Sequence, residues 1–261
     1  MATARFMLSP RARVAPLLAC LALAFACTNI NEPDLVHPTR LVAPYPPSAD
    51  VVWVVAPLSN ESGSSLVDEL AVTDELVNQI RQVQGLSALP TNRALAGMRA
   101  LNISAVRTPQ DALELAAATG ADATLVGTIT AWNPYEPLEL GMTLALFPRT
   151  AKMQELAMPA PVTDPIALRT ATREQGMPST QASFSPSSSV ADHADASNHA
   201  VLADAKAYAY GRSDPRTALG WQVYVKSMKR YTEFVCYRLV GRLLADERTR
   251  LTPVTEHDKS Q

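Results

Sequence analysis

The stretch from Thr108 to Trp132 spells out both ends of a helix and the strand that follows it, which commits the chain to a mixed α and β architecture. Thr108 can cap with its hydroxyl, Pro109 suits the first helical position, and Asp111 sets negative charge against the positive end of the helix dipole. The helix continues through Ala112 to Ala118 and stops at Gly120, which can take the left-handed conformation that ends a helix. Asp122 to Trp132 then reads as a strand, and Asn133-Pro134-Tyr135-Glu136-Pro137 as a turn. Leu138, Leu140, Met142, Leu144 and Leu146 alternate with smaller or polar residues, the signature of a half-buried strand closing a hairpin.

The same alternation runs upstream. Val51-Val-Trp-Val-Val-Ala-Pro57 is β-branched and aromatic and predicts a buried strand. After the loop Asn60 to Ser65, Leu66, Leu70, Val77, Ile80 and Val83 predict an amphipathic helix of about five turns, ended by Gly85. Leu86 to Leu89 predict a short strand, and residues 92–102 a helix with Leu95, Met98 and Leu101 on one side. Residues 150–190 are broken by prolines and a serine run and read as a loop. Residues 196–210 read as helical, and one long helix is predicted from Leu219 to Asp246 with Tyr224, Met228, Tyr231, Val235, Leu239 and Leu243 as its apolar stripe. At 47% hydrophobic and 18% charged residues, the chain can bury a core. The fold class expected is α/β (α+β): a small mixed sheet flanked by helices, with a long C-terminal helix.

The first residues set the compartment. Arg5, Arg11 and Arg13 precede the thirteen apolar residues Val14 to Ala26, a positively charged head and a short greasy segment ending in small residues. That is the pattern of an export signal, and the run is too short for the roughly 20 residues a membrane-spanning helix needs. The segment closes on Ala24-Phe25-Ala26-Cys27, which resembles the bacterial lipoprotein box in which the cysteine becomes the new N-terminus and takes acyl chains. Lipidation is therefore expected at Cys27, the one site residue assigned. Ala24-Phe25-Ala26 also satisfies ordinary signal peptidase, which would leave Cys27 unmodified, and Leu17-Leu18-Ala19-Cys20 is a second box behind a shorter apolar run. Thr28, where an aspartate commonly marks retention at the inner membrane, favours the outer membrane. Cleavage before Cys27 leaves 20 basic against 25 acidic side chains, since the three leader arginines go and no acid does.

The expected organisation is a signal peptide over 1–26, a proline-rich tether over 27–50 whose second half reads equally as an irregular arm packed on the domain, an α/β domain over 51–149, a low-complexity loop over 150–190, a helical region over 191–250 packed on the domain, and a tail over 251–261. The run of strand, Leu58-Ser59-Asn60-Glu61-Ser62, helix, and later Thr119-Gly120-Ala121-Asp122-Ala123-Thr124-Leu125-Val126-Gly127-Thr128-Ile129 resembles the envelope α/β module shared by the curli-secretion lipoprotein CsgG, the TolB N-terminal domain and the LpoB activators of peptidoglycan synthases. Leu58 stands where that module has phenylalanine. The resemblance covers roughly residues 50–147 and rests on fold-forming residues, on a fold that hosts pores, activators and scaffolds alike.

Chemistry is sparse. The ten glycines include no pair spaced for a dinucleotide or phosphate loop, and neither a nucleophile elbow nor a Cys-x-x-Cys occurs. A net charge of −2 speaks against nucleic-acid binding through bulk positive charge. One polar cluster stands out, Asp192-His193-Ala194-Asp195-Ala196-Ser197-Asn198-His199; on a helix, Asp192, Asp195 and His199 would share a face, a geometry open to a metal, beside the plainer reading of a solvated helix start. Cys236 reads as a small core residue. Lys226, Lys229, Arg230, Arg238, Arg242, Arg248 and Arg250 make the C-terminal region basic, which suits either an anionic partner or an exposed helix face. The reading is a non-enzymatic envelope lipoprotein without a cofactor or catalytic residue, held by acyl chains and acting as a scaffold or activator through protein contacts. Its partner is an unidentified envelope protein, and self-association stays open. The alternatives are a subunit of an oligomeric outer-membrane export complex and a periplasmic metal-binding protein or enzyme built on the Asp192–His199 cluster.

Overall fold

The computed structural model describes residues 38–150, 153 and 185–251. The signal peptide, Cys27 and most of the low-complexity loop lie outside the described residues. Six strands form one mixed sheet: β1 (Val52–Val55), β2 (Ser59–Asn60), β3 (Ser87–Ala88), β4 (Ala123–Asn133), β5 (Glu139–Pro148) and β6 (Ser188–Asp195). The order is β3-β1-β4-β5-β6, with β2 continuing alongside β4 beyond β1. β1, β2 and β3 run parallel to their neighbours, whereas β5 and β6 are antiparallel. The expected mixed sheet and the β4–β5 hairpin are both present.

Strand β1 explains why both sheet faces are covered at its end of the sheet. Trp53 and Val55 join the main core with helix α1 (Glu69–Arg81) and the long helix α6 (Met228–Leu251), while Val54 points to a second cluster with α2 (Thr91–Ala100) and α3 (Pro109–Thr119). A strand buried on both faces is a continuous apolar run, as Val-Trp-Val-Val is. The signals read around α3 hold in detail. The Thr108 hydroxyl accepts from Asp111 N–H, the Asp111 carboxylate accepts from Thr108 N–H, and Gly120 sits at φ 76°.

Asp122, the acid of the module-like motif, ties three strands together. Its side chain accepts from Val52 N–H at 2.9 Å, its backbone N–H donates to Val52 C=O, and its C=O accepts from Arg149 and Thr150 N–H groups at the end of β5. Gly127 has a different reason. A Cβ there would come within 2.6 Å of both Leu58 and Leu144, so glycine lets those two leucines close over β4. Asn60 closes the loop after β2 by accepting from Ser62 N–H and donating to Ser64 C=O.

Two features differ from the sequence reading, and a third settles an alternative it left open. Helix α1 begins only at Glu69, capped by the Asp68 side chain, and buries Val72, Leu76, Val77 and Ile80. Leu66 and Leu70, assigned to its apolar stripe, are exposed, because the cap ends the helix short of Leu66 and turns the buried face past Leu70. The long C-terminal helix breaks at Ser227, which is extended between α5 (Val223–Lys226) and α6. Residues 38–50, which read as tether or as a packed arm, include an arm laid against the sheet: Ala43 N–H donates to Gln84 C=O, and Ala43 and Tyr45 are buried.

Candidate functional site

The polar cluster at 192–199 is strand and turn, not helix. Residues 188–195 form β6 against β5, pairing Leu144 with Val190, Met142 with Asp192 and Gly141 with His193. Side chains alternate along a strand, so Asp192 points into the α6 side while His193 and Asp195 take opposite parity, and His199 opens α4 (His199–Ala209) as an exposed residue. The shared face on which a metal site depended is therefore absent. Among the described residues no group of three or more His, Cys, Asp or Glu side chains is placed to hold a metal ion.

Asp192 has a structural partner set instead. Its carboxylate is almost buried, 2.8 Å from the Arg242 guanidinium and 3.3 Å from that of Arg238, which also lies 3.3 Å from Asp204. The two guanidiniums offset the cost of withdrawing this carboxylate from water. His193 meets Glu139 on the neighbouring strand at 2.8 Å, out in solvent.

The basic C-terminal region is spent mostly within the molecule. Arg230 pairs with Glu233, Arg238 and Arg242 with Asp192, Arg250 with Glu247, Lys226 lies 3.9 Å from Glu136, and Arg248 donates to Val42 C=O. Cys236 is fully buried, and burial holds its thiol well above the ordinary range, which suits a packed core residue.

Glu247 is the centre of the densest polar lock. It is fully buried, accepts from Ser187 and Ser188 hydroxyls at 2.8 and 2.6 Å, from Tyr45 OH at 3.1 Å, and from Arg250 at 3.0 and 2.6 Å. Burial alone pushes this carboxyl up; the hydrogen bonds from Arg250, Ser188 and Ser187 outweigh it and hold the group below its usual range. Burial and the adjacent Glu247 carboxylate push Tyr45 strongly up, so it stays a donor. The lock joins the N-terminal arm, the start of β6 and the last turns of α6.

Among the described residues, what is left open is the other face of β5 and β6. Helices α2 and α3 cover β1 and the start of β4, but Thr143, Ser189, Ala191 and His193 are exposed on small-residue strands. β6 is also an edge. Ala196 N–H donates to Leu138 C=O, which fixes the ladder so that the N–H groups of Ser189, Ala191 and His193 turn away from β5; that of Ser189 meets the Asp246 carboxylate at 3.2 Å. An open edge beside a face of mostly small residues can accept another chain by strand addition or face packing. Sequence reasoning missed this surface because it had no strand at 188–195.

No protein-family profile matches the chain, and no curated protein does. Among solved structures it is similar to LpoB of E. coli, at 13% identity and TM-score 0.34, over 44% of this chain and 54% of that one. The chain thus spans about half the length of that LpoB. It is similar to the PelC dodecamer of Paraburkholderia phytofirmans, at 12% identity and TM-score 0.33, over 82% of this chain and 94% of that one. A lipoprotein of Neisseria meningitidis is similar at 15% identity and TM-score 0.29, over 50% and 99%.

Proposed function

We propose that the protein is an envelope lipoprotein, acylated at Cys27, that holds a non-enzymatic protein-binding module beside a membrane. The observation carrying this reading is the face and outer edge of β5–β6 left uncovered among the described residues, together with an acylatable Cys27 directly after the leader 1–26. Confinement to a surface raises effective concentration, so a shallow strand-edge contact of modest affinity suffices. Activation of a neighbouring envelope enzyme, in the manner the module resemblance implies, is the role this arrangement serves most simply.

The test uses the full chain in intact cells. A photo-crosslinking residue at Ala191, on the open face, is expected to give one discrete adduct, and the same residue at the exposed Ala118 of α3 none. Adducts of equal yield at both positions, or at neither, would refute the surface. Cys27→Ala is expected to move the protein from the membrane pellet to the soluble fraction; if it stays in the pellet, the anchor lies elsewhere.

A further inference from the structure

A cleft of about 310 Å³ opens where four segments converge: the arm, the C-terminal end of α1, the turn after α4, and α6. The argument turns on Arg40, Arg81 and Arg212, which line it together with Tyr237; no carboxylate lies among the described lining residues.

Arg212 is fixed in place. One guanidinium nitrogen donates to Tyr208 C=O and the other to Thr39 C=O, each at 2.9 Å, and the group lies 4.3 Å over the Tyr208 ring and 4.9 Å from the Tyr237 ring centre. Two of its five donors are spent on carbonyls, and the rest carry a charge that neither carbonyl nor ring neutralises. Arg40 and Arg81 are exposed and have no ion pair among the described residues. Arg81 gains from the negative end of α1, but that end amounts to only about half a charge. Its last carbonyls also already accept the N–H groups of Gln82 and Val83. Half a negative charge against three guanidiniums, with no carboxylate among the described lining residues, leaves the cleft lining positive. Arg238, Arg242 and Arg250 are matched by carboxylates at Asp192 and Glu247, whereas no carboxylate is paired with the three arginines of this cleft among the described residues.

We infer that the Arg40–Arg81–Arg212 cleft binds a phosphate-bearing group. A guanidinium fork matches phosphate oxygens in bidentate geometry, and Arg212 loses little freedom on binding because it is already pinned. The group has two possible sources, a phospholipid headgroup or a soluble phosphate compound. The lipid source rests on the anchoring proposed above: Pro38 at the cleft follows Cys27 by eleven residues, a contour of at most about 40 Å. The cleft itself does not depend on anchoring.

The experiment takes the full chain as Cys27→Ala, so that acyl chains cannot report. Titration with inorganic phosphate at constant ionic strength is expected to show saturable binding. Arg40→Gln/Arg81→Gln should weaken it about tenfold or more, as expected for loss of charge-assisted hydrogen bonds, with an unchanged thermal melt because both side chains are exposed. Flotation with phosphatidylglycerol–phosphatidylcholine vesicles against phosphatidylcholine alone then separates the sources. Binding to the anionic vesicles that phosphate competes away supports the headgroup, and phosphate binding without flotation supports a soluble ligand. No saturable binding in either arm, or equal binding by parent and double variant, overturns the site. A failure of Cys27 anchoring leaves the phosphate isotherm untouched, so the two outcomes stay distinct.

Discussion

Glu247 is the residue on which most separate parts of the chain meet, and no sequence pattern announces it. It lies about one turn from the end of an amphipathic helix in a charged run, where a glutamate reads as solvated. Its burial follows from Ser187, Ser188 and Tyr45 arriving from distant segments. Removing the charge while keeping the shape, as in Glu247→Gln, should destabilise the fold by about 2–4 kcal/mol, since Arg250 loses its buried partner. The sign with pH follows from the lowered carboxyl. A group more acidic in the folded than in the unfolded state binds fewer protons folded, so its contribution is full above the unfolded value, near 4.3, and fades as pH falls through the lower folded value. Denaturant midpoints of the parent should therefore drop across that acidic window while those of Glu247→Gln change less. Parallel curves would show that Glu247 does not set the acid limb. By contrast Cys236 and Trp53 were legible as core residues, because an apolar side chain inside an apolar periodic run admits one simple placement.

At the scale of elements, local chemistry was readable wherever it is self-contained. The capping box at Thr108, the stop at Gly120 and the alternation of Leu138 to Leu146 each need only neighbours in sequence, and each stands in the structure. β6 does not. Ser-Ser-Val-Ala-Asp-His-Ala-Asp has little intrinsic strand preference and becomes a strand because β5 offers a ladder and α6 supplies arginines for Asp192. The break at Ser227 was equally hidden, since serine carries no strong stop signal and the apolar stripe continues through it. If Asp192 is what lets so polar a strand pack on α6, then Asp192→Ala should destabilise by about 3 kcal/mol by leaving half-buried Arg238 short of a carboxylate. Arg242→Gln, which removes the more exposed partner, should cost less than about 1 kcal/mol. Amide exchange along β6 should quicken in the first variant and change little in the second; the reverse ranking would assign the strand's stability to the outer pair.

On the scale of the whole molecule, the order β3-β1-β4-β5-β6 could not be deduced from sequence, because β1 and β4 are brought together across three intervening helices. The boundary between tether and domain had the same difficulty. Pro38, Pro44, Pro46 and Pro47 read as linker composition. Proline bars a residue from donating to a sheet but not from lying on one, and Ala43 and Tyr45 are held between those prolines by a bridge to Gln84 and by Glu247. Tyr45 also packs edge-on against Trp53, 6.2 Å between ring centres, so the arm roofs the sheet at its most buried aromatic. A chain beginning at Pro38 should then keep nearly the full stability of the mature protein, and one beginning at Val51 should lose about 3–5 kcal/mol from the buried tyrosine and its hydrogen bond. Tyr45→Phe in the longer chain, which keeps the ring and removes the hydroxyl, should account for only about 1–2 kcal/mol of that loss. Urea midpoints of the three proteins decide it. If the Val51 chain melts with the Pro38 chain, the arm is a passenger and the fold proper starts at β1; if Tyr45→Phe alone matches the truncation, the arm is held by its hydroxyl and not by its packing.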